Sequence, residues 1–166
     1  MRTLILYYSL TGHTRKVGEL LARKLNADVA ELTCHAYGSG FGRLRQVWDM
    51  LTGASPPIEL PPEANRTYDL VIVAGPVWGA RPAPPVRSLL TTSRPEGGKV
   101  ALFLTCNGTS KKYTGEKAVD EAARLAPVIA TALFKEAEIA GPDLPAKVTA
   151  FAGVLREAMQ APHLHS

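Results

Sequence analysis

The segment Ile5-Leu6-Tyr7-Tyr8-Ser9-Leu10-Thr11-Gly12-His13-Thr14 decides the fold, because an apolar run passes there into a small polar loop and then into a helical pattern. The run Thr3–Tyr8 is almost continuously apolar, which is typical of a strand covered on both faces in a parallel sheet. After Thr14, apolar residues recur with the helical period at Val17, Leu20, Leu21 and Leu25. A buried strand followed by an amphipathic helix predicts an α/β protein.

The same alternation continues along the chain. Strands are predicted at Thr3–Tyr8, Asp28–Thr33, Asp69–Gly75, Val100–Thr105 and Ile129–Phe134. The later helical patterns place apolar residues at Leu44, Val47, Trp48 and Leu51; at Val86, Leu89 and Leu90; at Val119, Ala122, Ala123 and Ala126; and at Val148, Phe151, Ala152, Leu155 and Met159. Five strands alternating with five helices predict a doubly wound sheet with helices on both faces, a three-layer αβα sandwich. Ligands of such sheets bind at the carboxyl ends of the strands, near the point where the strand order reverses.

Length and composition set the class of protein. With 166 residues, we expect one domain over 1–160 and a frayed tail at 161–166. The 46% of hydrophobic and 20% of charged residues exclude disorder as the default. The net charge of +4 is dispersed, so nucleic-acid binding is not predicted. Two distant cysteines exclude a disulfide scaffold, and without a signal peptide or a membrane span we expect a cytoplasmic protein.

The loop after the first strand has the chemistry of a phosphate site. Ser9, Thr11 and Thr14 offer hydroxyls, and Gly12 allows a tight turn at the start of a helix. The N–H groups of a helix start attract an anion, so the segment Ser9–Thr14 is predicted to bind phosphate. The alternative is that these hydroxyl residues only cap the helix. The chain contains no Gly-x-x-x-x-Gly-Lys-Ser/Thr sequence, which excludes a P-loop nucleotidase.

Two further loops follow the third and fourth strands. The first holds Trp78 between small residues, where the indole could lie flat on a planar ligand or instead cover the sheet edge or a dimer contact. The second holds Cys106, interpreted as a small loop residue because no base accompanies it. The predicted ring contacts are Pro76, Val77, Trp78, Gly79, Ala80, Thr105, Cys106, Asn107 and Gly108. We predict no catalytic side chain and no metal ligand in these loops.

Together the three loops resemble the flavodoxin family. The residues that carry the resemblance are Ile5–Thr14 for the phosphate loop, Asp69–Gly79 for the third strand and first ring loop, and Lys99–Cys106 for the fourth strand and second ring loop. It implies a five-stranded parallel sheet of order 2-1-3-4-5 and an FMN cofactor. The phosphate would lie on Ser9, Leu10, Thr11, Gly12, His13 and Thr14, and the isoalloxazine between Pro76–Ala80 and Thr105–Gly108.

Two departures bear on the function that the resemblance implies. His13 stands where the family commonly has Asn, and a protonated imidazole would make FMN binding weaken at alkaline pH. The chain is basic, whereas electron-shuttling flavodoxins are typically acidic.

Three functions therefore remain open. They are an FMN electron carrier with a redox partner protein, an FMN enzyme that reduces a small molecule such as a quinone with NAD(P)H, and a binding module that has lost the flavin. Arg81, Lys111 and Lys112 are candidate contacts for an anionic substrate or an NAD(P)H phosphate, and Tyr113 for a second face of the ring; ordinary surface positions are the alternative. The electron donor, the acceptor and the oligomeric state are left undecided.

Overall fold

A computed structural model describes residues 1–38, 40–92, 98–108 and 115–161. The strands are β1 (Thr3–Tyr7), β2 (Asp28–Glu31), β3 (Leu70–Trp78), β4 (Arg81–Pro82), β5 (Lys99–Cys106) and β6 (Val128–Lys135). The α-helices are α1 (His13–Leu25), α2 (Gly42–Thr52), α3 (Pro84–Thr91), α4 (Gly115–Leu125), α5 (Glu136–Ala140) and α6 (Leu144–Gln160). Two 3₁₀ turns lie at His35–Tyr37 and Pro62–Asn65.

The sheet has the predicted doubly wound topology. Its path is β2-β1-β3-β5-β6, and all the pairs on that path are parallel. Counting the five long strands alone gives the order 2-1-3-4-5, so the predicted fold class is confirmed. The additional strand, β4, is two residues long and pairs antiparallel with the end of β3.

Alternate residues of the central strands supply a separate core on each face of the sheet. One core takes Leu4 and Leu6 from β1 and packs against α3 and α4. The opposite core takes Ile5 from β1 and packs against α1, α5 and α6, with Phe103 and Phe134 in edge-to-face contact. The central strands are therefore buried on both sides, which explains their continuous apolar sequence.

The structure corrects three predictions about the elements. The residues Pro76–Trp78, predicted as loop, continue β3 into a hairpin with β4. Helix α5 was not predicted, because its five residues are too few to show a period. Helix α2 was predicted from its apolar spacing, but its apolar face points into solvent instead of toward a core.

No helix in the described ranges is long and apolar enough to cross a membrane. The predicted tail, 161–166, lies outside the described residues except for Ala161, which follows α6 directly.

Candidate functional site

The three predicted loops lie side by side at the carboxyl edge of the sheet. Tyr7 at the end of β1 is in register with Ala74 of β3, and Pro76 of β3 is in register with Thr105 of β5. The backbone N–H of Tyr8 also donates to the Ala74 carbonyl at 3.0 Å. Parallel pairing of β1, β3 and β5 therefore brings these loops together, as the topology predicts.

The first loop, Ser9–Thr14, presents backbone N–H groups at the start of α1. Gly12 has φ of +88°, which allows the chain to turn into the helix, and a Cβ at this position would meet nothing within 4 Å. The Ser9 hydroxyl accepts hydrogen bonds from the N–H of Gly12 at 3.1 Å and of Arg15 at 3.4 Å. Among the described residues, the N–H groups of Thr11, His13 and Thr14 have no acceptor. We call this segment the anion loop, because free donors at a helix N-terminus favour a negatively charged ligand.

Thr14 connects the anion loop to the loop after β5. Its hydroxyl lies 2.8 Å from the Thr105 hydroxyl, and both side chains are buried. The Thr14 hydroxyl, predicted to contact a phosphate, also contacts the Thr105 hydroxyl, and either of the two can be the donor. The Thr14 side chain thus links the two loops, and its backbone N–H lies at the start of α1.

His13 places an ionisable group beside the anion loop. Its Nδ1 lies 3.2 Å from the Thr11 hydroxyl and 3.3 Å from a carboxylate oxygen of Glu136, the first residue of α5. A protonated His13 would be shared between this carboxylate and an anion in the loop. Lys16, one turn further along α1, donates to the Ile139 carbonyl at 2.8 Å and so ties α1 to α5.

The hairpin between β3 and β4 forms the second side of the site. Gly79 and Ala80 have φ of +57° and +65°, the left-handed values that a two-residue type I′ turn requires. Ala80 is strained there, because a left-handed conformation costs an L-residue about 1–2 kcal/mol. A Cβ built on Gly79 would lie 3.3 Å from the Met50 sulfur, so α2 packs directly against this turn.

Trp78 belongs to a cluster of three aromatic rings. Its indole meets the Tyr8 ring edge-on, with centroids 5.8 Å apart, and the tilted Tyr37 ring at 6.4 Å. Tyr37 donates its hydroxyl to the buried Asp49 carboxylate of α2 at 3.0 Å. Burial first, and this hydrogen bond second, raise the pKa of Tyr37 well above its ordinary value. Trp78 is half-buried on the core, which matches the alternative that it covers the sheet edge, and it keeps an exposed part at the site.

The third loop contains Cys106, Asn107 and Gly108. Cys106 is buried at the end of β5, and this burial raises the pKa of its thiol, which keeps it in the unreactive protonated form. Gly108 has φ of +71°, and a Cβ there would lie 3.2 Å from the Lys135 side chain. Lys111, Lys112 and Tyr113 lie outside the described residues.

Arg81, predicted to meet an anionic substrate, is engaged in an ion-pair cluster. Its Nε lies 3.1 Å from a Glu121 carboxylate oxygen on α4. The same carboxylate also accepts a hydrogen bond from Arg87 on α3. Two guanidinium groups thus share one carboxylate, and the cluster carries a net positive charge beside the β3–β4 hairpin.

Tyr8, Tyr37 and Glu136 also lie beside these loops, and the sequence did not predict them there. Tyr8 follows β1 and was treated only as its last apolar residue, although the next position already belongs to the anion loop. Tyr37 and Glu136 come from a 3₁₀ turn and from α5, which have no periodic pattern that would place them near the site.

Several solved structures with the same architecture are flavoproteins or flavodoxins. A flavoprotein in complex with FMN from Lactobacillus acidophilus NCFM is 29% identical, over 83% of this chain and 95% of that one, with a TM-score of 0.61. A flavodoxin from the domain Archaea is 14% identical over 97% of this chain and 100% of that one, with a TM-score of 0.55. A short-chain flavodoxin associated with a non-canonical PDU bacterial microcompartment is 14% identical over 96% of this chain and 100% of that one, with a TM-score of 0.56.

No protein-family model matches the chain, and neither does any curated protein in sequence. The sheet order, with the anion loop at its switch point, defines a doubly wound α/β protein. The structural likenesses narrow this class to one fold: the chain has the flavodoxin-like fold that its sequence predicts.

Proposed function

We propose that this chain binds FMN at the carboxyl edge of its sheet and transfers electrons through the flavin. The observation that carries the proposal is the free N–H donors of the anion loop, held by the Thr14–Thr105 hydrogen bond beside the hairpin turn and the third loop. The complex of the Lactobacillus acidophilus flavoprotein with FMN supports this choice of ligand.

The anion loop fits a phosphate monoester. The N–H groups of Thr11, His13 and Thr14 are available as donors, and the space in front of the Gly12 Cα is open. The first turn of α1 contains no acidic side chain that would repel an anion. Ser9 holds the turn through the Gly12 N–H and therefore acts as a positioning residue for the phosphate donors.

The hairpin turn and the third loop fit the edges of a planar ring. Gly79, Ala80 and Gly108 all have left-handed backbone and small or absent side chains, so backbone groups can approach a ligand closely. The remaining exposed part of Trp78 gives this side an aromatic surface. A bound flavin supplies the redox chemistry, and the protein positions it and shapes its surroundings.

Ligand selectivity tests the proposal directly. Apo-protein titrated with FMN and with riboflavin, followed by flavin fluorescence, should bind FMN far more tightly, because riboflavin lacks the phosphate. Gly12→Ala should reduce FMN affinity by about 5- to 30-fold, since strain of about 1–2 kcal/mol at φ +88° disturbs the loop. Asn26→Ala, at the left-handed C-cap of the same helix, is the matched control and should leave FMN affinity unchanged. Equal affinity for FMN and riboflavin would refute the phosphate assignment.

The His13–Glu136 pair makes a second prediction for FMN affinity. Affinity should fall toward alkaline pH, because only a protonated imidazole carries the positive charge that attracts the phosphate. The His13→Asn variant should retain only the pH dependence of the FMN phosphate itself. Glu136→Gln should strengthen binding, since it removes a carboxylate 3.3 Å from His13. Identical pH profiles for wild type and His13→Asn would contradict a role of His13.

An enzyme that reduces a quinone with NAD(P)H is the second candidate function. It is favoured over a carrier by the net charge of +4 and by the positive Arg81–Arg87–Glu121 cluster beside the hairpin. Steady oxidation of NADPH or NADH by FMN-loaded protein with a quinone would support it. Activity that appears only with an added reductase protein would assign the carrier function.

We also propose a cytoplasmic location, with which two thiols outside any disulfide agree.

A further inference from the structure

Helix α2 faces the protein with its polar side and solvent with its apolar side. Gly42 and Asp49 are its buried residues, and Met50 lies half-buried against the hairpin turn. On the outside, Leu44 is 71% exposed, Trp48 66% and Leu51 71%. Amphipathic surface helices ordinarily have the opposite orientation, with the apolar stripe on the core.

The exposed side chains have the spacing of a helix–helix seam. Phe41, Leu44, Trp48 and Leu51 follow one another at intervals of three, four and three residues, the a/d pattern of a heptad repeat. We call these four residues the α2 seam. Val47, 49% exposed, lies beside them, so the apolar face of α2 takes the i, i+3, i+4 and i+7 positions Leu44, Val47, Trp48 and Leu51 and is wide enough to pack on another helix.

The area of the α2 seam is large for a free surface. Phe41 is 80% exposed, so with Trp48 the two aromatic side chains alone expose about 300 Å², given about 150–250 Å² for a fully buried ring. The two leucines bring the patch to the upper part of the range of about 300–600 Å² for the largest patch of a typical monomer. Together with the residues at its edge, the exposed area of the α2 seam approaches the roughly 800 Å² that each partner buries in a standard interface.

The charges on α2 indicate which helix lies opposite. Arg43 lies in the first turn, where the helix dipole disfavours a cation, and the last turn has no basic side chain. Arg45 is paired within its own helix, with its Nε 3.8 Å from a carboxylate oxygen of Asp49. An antiparallel copy of α2 would place Arg43 beside the partner's C-terminal carbonyls, where a cation is favoured. Arg43 of one helix is thus complementary to the unneutralised C-terminal end of the other.

We propose that a second copy of this chain covers the α2 seam, forming a twofold dimer through antiparallel α2 helices. In that register Leu44 packs against Trp48 of the partner subunit and Phe41 packs against Leu51 of the partner subunit. A twofold axis brings the same patch of both copies together, which a self-complementary seam requires. Because Met50 packs on Gly79, the interface lies one helix away from the proposed ring site.

Sedimentation velocity of the purified full chain from about 1 to 100 µM tests the association. Wild type should sediment as a dimer, and the Leu44→Glu/Trp48→Glu variant as a monomer. Since a hot-spot residue contributes at least about 2 kcal/mol, each change should raise the dimer dissociation constant about 30-fold or more. The control is Val154→Glu, on α6 and 48% exposed, which should remain a dimer. The substituted side chains point into solvent, so urea unfolding at low concentration should show unchanged stability.

Disulfide cross-linking tests the register. Under mild oxidation, a mixture of Leu44→Cys and Trp48→Cys chains should form mixed disulfides faster than either variant links to itself. The native Cys34 and Cys106 are buried and give a low background. Faster self-linking of each variant would indicate a parallel pair and overturn the antiparallel one.

Three results would overturn the dimer itself. They are a wild-type monomer at 100 µM, a dimer that survives Leu44→Glu/Trp48→Glu, and a monomer that binds vesicles of anionic lipid through the α2 seam. The sedimentation readout does not depend on flavin, so the dimer and the proposed FMN function can fail separately.

Discussion

Helices α1 and α2 have similar apolar spacing and opposite surroundings. In α1, Val17 and Leu21 are fully buried and pack against α6 and the sheet. In α2, Leu44 and Leu51 stand in solvent, and the buried side chain is Asp49. The same period therefore defines which residues share a face, but not what that face contacts.

The difference follows from what each helix finds on its inner side. Beneath α1 lie Ile5, Ile72 and Phe103 of the sheet, an apolar surface that attracts its apolar stripe. Beneath α2 lie the Tyr37 hydroxyl and the β3–β4 turn, which Asp49 and Met50 contact. A buried carboxylate must keep its hydrogen bond, so Asp49 orients α2 and turns the seam outward.

The largest predicted effect compares a leucine from each helix. Leu21→Ala should lower the free energy of unfolding by about 3 kcal/mol, because it opens a cavity in a filled core. Leu44→Ala should change the stability of the monomer by less than about 0.5 kcal/mol. Urea unfolding measures both, with Leu44→Ala placed in the Trp48→Glu background so that the chain is monomeric. A loss above about 1 kcal/mol for Leu44→Ala in this background would mean that the seam is covered within one chain.

The next effect tests whether Asp49 orients α2. Asp49→Ala should cost about 1.5–3 kcal/mol, since it leaves the partly buried Tyr37 hydroxyl without its acceptor. Tyr37→Phe and the double variant complete a double-mutant cycle, which should give a coupling energy of at least about 1 kcal/mol. Additive losses would show that the 3.0 Å contact contributes nothing to stability, and the orientation of α2 would need another cause.

The sequence could predict the sheet because the decisive information was local. Continuous apolar runs such as Leu70–Val73 are buried on both faces, and no other environment in a chain of this size explains them. The free N–H groups on either side of Gly12 also follow from local signals, a glycine and hydroxyl residues between strand and helix. The position of this loop between β1 and α1 could therefore be predicted, whereas its binding of an anion stays a prediction.

The rest depended on contacts between segments far apart in the chain. The Thr14 hydroxyl is engaged by Thr105, 91 residues away, and no local pattern records that partner. The β3–β4 hairpin lacked its usual signal, since the turn pair is Gly79-Ala80 instead of Asn-Gly. The outward seam of α2 depended on one hydrogen bond to Tyr37, in a segment without periodicity.

A smaller effect concerns the turn on which α2 rests. Ala80→Gly should stabilise the protein by about 1 kcal/mol, because glycine adopts φ +65° without strain. Asn26→Gly at the C-cap of α1 is the control and should change stability less, since Asn already tolerates the left-handed region. Thermal unfolding of both variants measures the difference. A destabilised Ala80→Gly protein would mean that the Ala80 methyl group makes contacts that outweigh its strain.

The smallest predicted effect concerns the helices that cover α1. Burial acts to raise the pKa of Glu138 on α5, but the Lys135 N–H at 2.7 Å and the Lys147 ammonium at 2.6 Å outweigh it, so the pKa lies below its ordinary 4.5. A lowered pKa means that the folded state holds this proton less tightly than the unfolded state does. The stabilisation is therefore complete above about pH 4.5 and is lost as pH falls through the lower folded pKa.

Glu138→Gln should accordingly cost less than about 1 kcal/mol at pH 7, because both partners are partly exposed and solvent screens the pair. The gap to wild type should narrow below pH 4.5 and close once Glu138 is protonated in both states. Urea unfolding at pH 7, 4.5 and 3 follows this gap. A gap that stays constant at all three pH values would assign the loss of stability to packing instead of charge. Helices α5 and α6 would then be held on α1 by apolar contacts alone. The apolar face of α2, by contrast, is exposed to solvent within one chain.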